Sequence, residues 1–198
     1  MSAAESEEGT GAGLAVVLDV LPNGRPDDDR PPYEREPVAY ALLEADLRLV
    51  ELELAPETEV SIGDRVSVDA DRDGNGDDGP VERVREVDHA ELTSGARSEL
   101  EYVVEEVVDR EERRFVDFYN DAEPITLRLH QLNLLPGIGK KLRNGVLDER
   151  KREPFGSFAE LEERVSGLHN PEEVLVERIL EELREEDLKY RTFVGHEE

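Results

Sequence analysis

LLPGIGKK, residues 134–141, holds two of the four lysines in a chain of 198 residues, and Lys151 follows shortly after. The other 20 basic residues are arginines, set against 51 acidic residues for a formal net charge of −27. Lysine is almost eliminated except around one Leu-Pro-Gly-Ile-Gly turn. That turn has the pattern of a hairpin joining two short helices, the core of a helix-hairpin-helix module. Gly137 and Gly139 supply backbone conformations that a side chain resists, and Ile138 between them points inward to hold the helices together. The glycines also let a phosphate approach the amides of residues 137–140. These are unsatisfied donors at the start of the next helix, whose dipole favours an anion.

Residues 137–156 carry Lys140, Lys141, Arg143, Arg150, Lys151 and Arg152 against Asp148, Glu149 and Glu153, a local charge of +3 that leaves −30 for the rest. On this reading lysine survives where a phosphate is held. Pro136, Gly137, Ile138, Gly139, Lys140, Lys141 and Arg143 are the candidate nucleic-acid-binding residues. A tight helix-helix turn with no ligand is the alternative, because glycine turns also serve packing. Downstream, VSGLHNP at 165–171 occupies the position of a second hairpin, with one glycine, Gly167, and a proline beyond it. It is expected to be mainly structural, with weak phosphate contact at best.

Working outward, the helices are read from period and caps. Thr93 caps a helix whose apolar positions are Ala96, Leu100, Val103, Val104, Val107 and Val108, then Phe115, Phe118 and Tyr119. Pro124 ends that segment. ITLRLHQLN at 125–133 precedes the hairpin and is read as its first helix, and a second helix runs from about Lys140 to Lys151. Ser157 with Glu160 forms a capping box. Asn170 caps another helix, with Pro171 in its first position.

The N-terminal half has strand patterning instead. LAVVLDVL at 14–21 reads as a buried strand, VAYALLEA at 38–45 and LRLVELEL at 47–54 as two strands joined tightly. RVSVDA at 65–70 and VERVREV at 81–87 are expected to form a hairpin around an acidic loop, and KYRTFV at 189–194 a short final strand. Five short strands with a long first loop suit a small barrel of the oligonucleotide-binding (OB) type, or another small antiparallel sheet. The fold class is therefore α+β: an OB-like β-barrel, a long helix and a tandem helix-hairpin-helix domain. The expected divisions are an acidic disordered tail (1–12), the barrel (13–90), a connecting helix (91–121), the tandem hairpin domain (122–187), and a C-terminal strand and tail (188–198).

Composition excludes several classes. There is no cysteine, hence no disulfide framework, thiolate metal site or cysteine nucleophile. No apolar run approaches the ~18–20 residues that span a bilayer, and the acidic N-terminus is not a signal peptide. A soluble, cytoplasmic monomer is expected. Acid spread along the whole chain with lysine depleted points to a cytoplasm of molar salt, where dense carboxylates keep a hydrated surface soluble.

The remaining motifs carry less. Asp71 to Glu82 satisfies the calcium-loop pattern. However, strands rather than helices flank it, Asp78 stands at its normally apolar eighth position, and Pro80 lies within it. An acidic hairpin tip is expected, and no metal. The loop at 22–37 holds Arg25, Arg30, Tyr33 and Arg35, an aromatic among arginines that suits a stacked base and phosphates, or simply pairs with its own acids. With Gly167 these form a possible secondary nucleic-acid contact. His130 is read as a packed or capping histidine, and His89, His169 and His196 show no metal spacing. Glycosylases built on this hairpin place a catalytic aspartate well beyond it. PFGSFAE at 154–160 offers none, so no enzyme activity and no cofactor are expected.

The chain resembles the archaeal and bacterial family grouped as domain of unknown function 655. The residues that carry this are the LP-G-P-D-RP-YEREPVA stretch at 21–39, LTSGARSEL at 92–100 and RFVDFYNDAEPITLRLHQLNLLPGIGKKL at 114–142. ERKREPFGSFAELEERVSGL at 149–168 and ERILEEL at 177–183 extend it. The acidic loop at 71–80 is a departure that the family does not require. The resemblance implies an OB-type barrel joined to a tandem helix-hairpin-helix unit and no established enzymatic activity. In archaea such genes often lie beside those for a ribosomal protein, an RNA polymerase subunit and a ribosomal RNA dimethyltransferase. It thus implies RNA or DNA as ligand, RNA favoured, with ribosome or RNA polymerase components as protein partners. An adaptor docking that machinery through its acidic barrel is the alternative function, and a nuclease accessory subunit a third.

Overall fold

Five strands come first in the chain and five helices after them. The structure, a computed structural model, describes residues 13–68 and 79–195. The expected disordered tail, most of the calcium-loop pattern and His196 lie outside these. The chain divides into two units, Met1–Val87 and Asp88–Glu198.

In the first unit β1 (Leu14–Leu21), β2 (Val38–Leu43), β3 (Leu49–Leu54), β4 (Arg65–Ser67) and β5 (Val81–Glu86) form one sheet. Its order is β4-β1-β2-β3-β5, and every neighbouring pair is antiparallel. Ala15 and Val17, Ala39 and Ala41, Val50, Leu52 and Leu54, with Val66 and Val81 from the edges, make its core. These alternate along the strands because side chains two apart share a face. The β1–β2 register shifts between Val17 and Asp19. Such a bulge bends a strand and increases its twist, and the sheet curls into a half-barrel.

The expected hairpin of the last two strands is not what forms. β4 pairs with β1 and β5 with β3, at opposite edges of the sheet. Among the described residues no pairing joins β4 to β5, and the sheet is a half-barrel where an OB-like barrel was expected. Burial explains the outcome: each edge strand places one valine, Val66 or Val81, on the common core.

The second unit holds α1 (Ser94–Arg110), α2 (Glu112–Asp121), α3 (Lys140–Arg152), α4 (Phe158–Arg164) and α5 (Pro171–Arg184). Thr93 Oγ1 accepts from the Ala96 amide at 3.0 Å, and the six apolar positions read from the sequence are the buried residues of α1. Phe115 and Tyr119 continue the buried stripe on α2, while Phe118 is half-buried. The expected connecting helix is thus two helices broken at Glu111, and α1 packs on α5 as part of the helical unit. Ser157 caps α4 through the Glu160 amide at 3.1 Å, but Glu160 returns its carboxylate to Gly156 rather than to Ser157. Asn170 precedes α5 in the left-handed region, and its side chain does not cap the helix.

The C-terminal segment forms no strand. The fully buried Glu182 carboxylate accepts from the amides of Thr192, Phe193 and Val194 at 2.9–3.0 Å and from Arg178 Nε at 2.9 Å. With the amides of its last three residues engaged by a helix side chain, the segment lacks the free donors that a strand of 189–194 would need there.

Candidate nucleic-acid interface

The hairpin is shorter on its first side than its sequence suggests. Residues 125–130 are irregular, and only Gln131–Leu134 wind into a single 3-10 turn. His130 stands at the start of that turn, its Nδ1 accepting from the Leu132 amide at 3.2 Å. Burial, with the Arg150 and Arg143 guanidiniums nearby, holds this imidazole below its ordinary range. The ring is a neutral acceptor that shapes the entry to the hairpin.

Gly137 has φ +75°, in the left-handed region that favours glycine. Ile138 is buried beneath the turn, its amide donating to Leu135 O at 3.2 Å and its carbonyl accepting from Asn133 Nδ2 at 3.1 Å. The Gly139 amide turns back to Gly137 O at 3.2 Å. Two of the four amides expected to face a phosphate, those of Ile138 and Gly139, are therefore spent inside the hairpin. The opening passes one step along the chain. No described residue accepts from the amides of Gly137, Lys140, Lys141 or Leu142, and the helical ladder begins with Arg143 donating to Gly139 O at 3.0 Å. The last three are the first-turn donors of α3, where the helix dipole favours an anion.

Gly139 departs from expectation in a useful way. Its φ of −81° and ψ of −174° are extended backbone that any residue adopts, and a Cβ there would meet nothing within 4 Å. The fold does not require glycine at 139. What an added side chain would fill is the space above the open amides.

The cations around this turn are uncompensated. Lys140 and Lys141 are exposed, and Lys140, Lys141, Arg143 and Lys151 have no carboxylate within 4 Å among the described residues. Arg143 is instead aimed by Asn133, whose Oδ1 accepts from its Nη1 at 3.1 Å. Elsewhere arginines are mostly engaged: Arg65 with Glu44, Arg85 with Glu51, Arg164 with Glu160. Arg152 pairs with Glu149, and Arg150 donates to Tyr119 O, so neither is available in the same way. The hairpin borders an open groove of ≈ 580 Å³ whose lining includes Asn133, Pro136, Gly137, Gly139, Arg178 and Glu181. Asn133 is the member that sequence reading missed. Its position one turn before the hairpin is the only signal that could have suggested it.

The second hairpin repeats the geometry but not the chemistry. Gly167 has φ +89°, Leu168 is buried, and the Leu168 amide donates to Val165 O at 3.1 Å, as Ile138 does to Leu135 O. Gly167 sits against Leu142 and Gly145 against Val165, so the two hairpins pack together. Its following helix opens with Pro171, which has no amide hydrogen, and with Glu172 and Glu173. An anion finds few donors and two carboxylates there.

The loop at 22–37 uses its arginines internally. Arg30 chelates Asp28, whose carboxyl it lowers to about 2, and Arg35 donates to the carbonyls of Arg30 and Arg25. Arg25 lies 3.5 Å from the buried Glu51 carboxylate. Tyr33 alone of the four has no hydrogen bond or ion pair among the described residues, and it is 84% exposed.

The curled antiparallel sheet and the helical unit with its glycine hairpin can now be set beside known proteins. The family described as "Protein of unknown function (DUF655)" matches residues 12–195, and the chain belongs to it. It is 40% identical over 182 residues to the uncharacterized protein MJ0038 of Methanocaldococcus jannaschii, covering 91% of this chain and 78% of that one. The crystal structure of Af1531 from Archaeoglobus fulgidus, a member of the same family, superposes with a TM-score of 0.79 at 38% identity, covering 92% of this chain and 99% of that one. Among the described residues no helix is long and apolar enough to cross a membrane.

Proposed function

We propose that this protein binds nucleic acid without enzymatic activity, RNA in preference to DNA, gripping backbone phosphates through a helix-hairpin-helix. One observation carries the reading. Four amides with no acceptor and cations with no carboxylate partner among the described residues lie together, in a chain of charge −27. Phosphate contacts position a protein on its ligand without reading sequence, so recognition is non-specific in sequence. On this reading the second hairpin takes no phosphate, because its following helix opens on acid, and the loop at 22–37 is a secondary contact at most, its arginines being engaged internally. RNA is preferred because of the gene associations that the family resemblance implies. The acid-covered remainder suits a protein that works at molar salt.

Titrating labelled RNA and DNA of one sequence against the protein at molar salt tests this. Lys140→Glu with Lys141→Glu should weaken both complexes by roughly 10–100-fold, the cost of losing hydrogen bonds to a charged group. Thermal melting should not fall, because neither lysine has a side-chain hydrogen bond or ion pair among the described residues and acidic side chains in the first turn of α3 suit its dipole. A folded wild-type protein that binds neither ligand would sink the proposal.

A further inference from the structure

We infer that the loop of residues 124–130 is a wedge: Leu127 inserts between base steps of a duplex whose phosphates the hairpin holds, and Arg128 covers the adjacent phosphate. This rests on the phosphate-binding reading and adds a contact to the bases. Leu127 is 107% exposed, as open as a side chain in a free peptide. Exposed leucines are ordinary when a loop is free to move or the side chain lies along the surface. Leu127 is held away from the surface by a loop with little freedom. The Ile125 and Thr126 amides both donate to Leu129 O, at 2.8 and 3.0 Å, and Thr126 Oγ1 accepts from the amides of Arg128 and Leu129. At the base, Gln131 donates its amide to Glu123 O at 3.0 Å and returns its side-chain oxygen to the Glu123 amide at 2.7 Å.

The second observation is charge. Arg128 is exposed and has no carboxylate or carbonyl partner among the described residues, unlike the arginines of the 22–37 loop. An apolar tip beside an uncompensated cation matches one chemistry in particular. Proteins that kink duplexes insert a leucine or similar apolar residue between base steps, and arginines are common partners of phosphate oxygens. Connectivity places the wedge with the cradle. His130 closes the loop against Pro124 and opens the 3-10 turn, which leads through Asn133 to Ile138 and Arg143.

The test uses the full chain at molar salt and RNA and DNA duplexes carrying 2-aminopurine at spaced positions along one strand. Its fluorescence rises when a base unstacks. Wild-type protein at saturation should raise the signal severalfold at one or two positions. Leu127→Ser, at a site where nothing packs, should still bind within about tenfold but lose the rise, and Arg128→Gln should weaken binding with the rise retained at saturation. Gly139→Ser should weaken binding on the order of 10–100-fold, and the rise at a fixed subsaturating concentration should fall with it. A wild-type complex with no rise, or an undiminished rise with Leu127→Ser, would overturn the wedge and leave the phosphate cradle standing. Absence of duplex binding by folded wild-type protein would overturn the wedge, and titration with single strands then shows whether the cradle falls with it.

Discussion

Gly139→Ser separates a phosphate cradle from a packing turn because the two readings predict different pairs of results. The backbone at 139 is already extended, and a Cβ there meets nothing, so serine enters without strain. Removing a glycine from the unfolded chain contributes about 0.4–1 kcal/mol where the native conformation is compatible. Position 139 is also the N-cap of α3. A serine hydroxyl there accepts from the second or third helical amide, Lys141 or Leu142, and improves on glycine by a few tenths of a kcal/mol. Together this is roughly 0.5–1.5 kcal/mol, or a rise of about 2–5 °C in the melting of the helical unit. The same hydroxyl occupies a donor that the phosphate needs, and its Cβ fills the approach. Losing one or two charge-assisted amide contacts costs about 1.5–3 kcal/mol, so affinity should fall on the order of 10–100-fold. The assay pairs calorimetric melting with titration of labelled RNA, both at molar salt. Higher stability with lost binding is the expected result. A folded Gly139→Ser protein that binds like wild type would remove these amides from the mechanism.

Two further perturbations test the scaffold around the site. The His130 imidazole is held below its unfolded value of about 6.5, so the unfolded chain takes up the proton first and stability is full above that pH and declines below it. Melting between about pH 7.5 and 5.5 should fall more steeply for wild type than for His130→Asn, which keeps an acceptor at the same cap. Glu182→Gln leaves Arg178 with Glu181 and the Tyr190 carbonyl but weakens the hold on three backbone amides, so a loss of about 1.5–3 kcal/mol is expected. Calorimetry, with proteolysis of the segment after Glu185 as a second readout, measures it.

What the sequence revealed depended on how local the deciding interaction was. The stripe from Ala96 to Val108 was legible because a helical period and a Thr93 cap are properties of neighbouring residues. β1 was legible for the same reason, as a continuous apolar run. The pairing of β4 with β1 and of β5 with β3 was not, since nothing local distinguishes it from a hairpin of sequence neighbours. LRLHQLNL before the turn reads as a helix, but Thr126 takes two loop amides with its hydroxyl and residues 125–130 stay irregular. KYRTFV has the composition of a strand, but its fate is decided by Glu182, a glutamate in an acidic helix that gives no sign of being the buried one. At the hairpin, Gly137, Ile138 and the lysines stood out in the sequence. Which amides remain open did not, because the Gly139 amide's return to Gly137 O is a detail of three dihedral angles.

The distribution of charge leads to a final expectation about salt. Outside residues 137–156 the chain carries −30, which in dilute buffer repels a polyanion and strains the fold itself. At 1 M salt the Debye length is only ~3 Å, so both that repulsion and the long-range pull of Lys140 and Lys141 are largely screened. Ordinary nucleic-acid binders lose affinity with salt at a log–log slope of about −0.9 per phosphate neutralised, because released counterions drive them. That driving force contributes little when the bulk is already concentrated. What survives on the proposed reading is short-range: the amides of Gly137, Lys140, Lys141 and Leu142 and the close hydrogen bonds of the two lysines, in direct contact with phosphate oxygens. Affinity for a labelled RNA should therefore change only weakly between about 1 and 3 M salt, with folding followed in parallel by circular dichroism. A steep, monotonic loss by a protein that stays folded would mean that the lysine charges, and not the amides beneath them, carry the interaction.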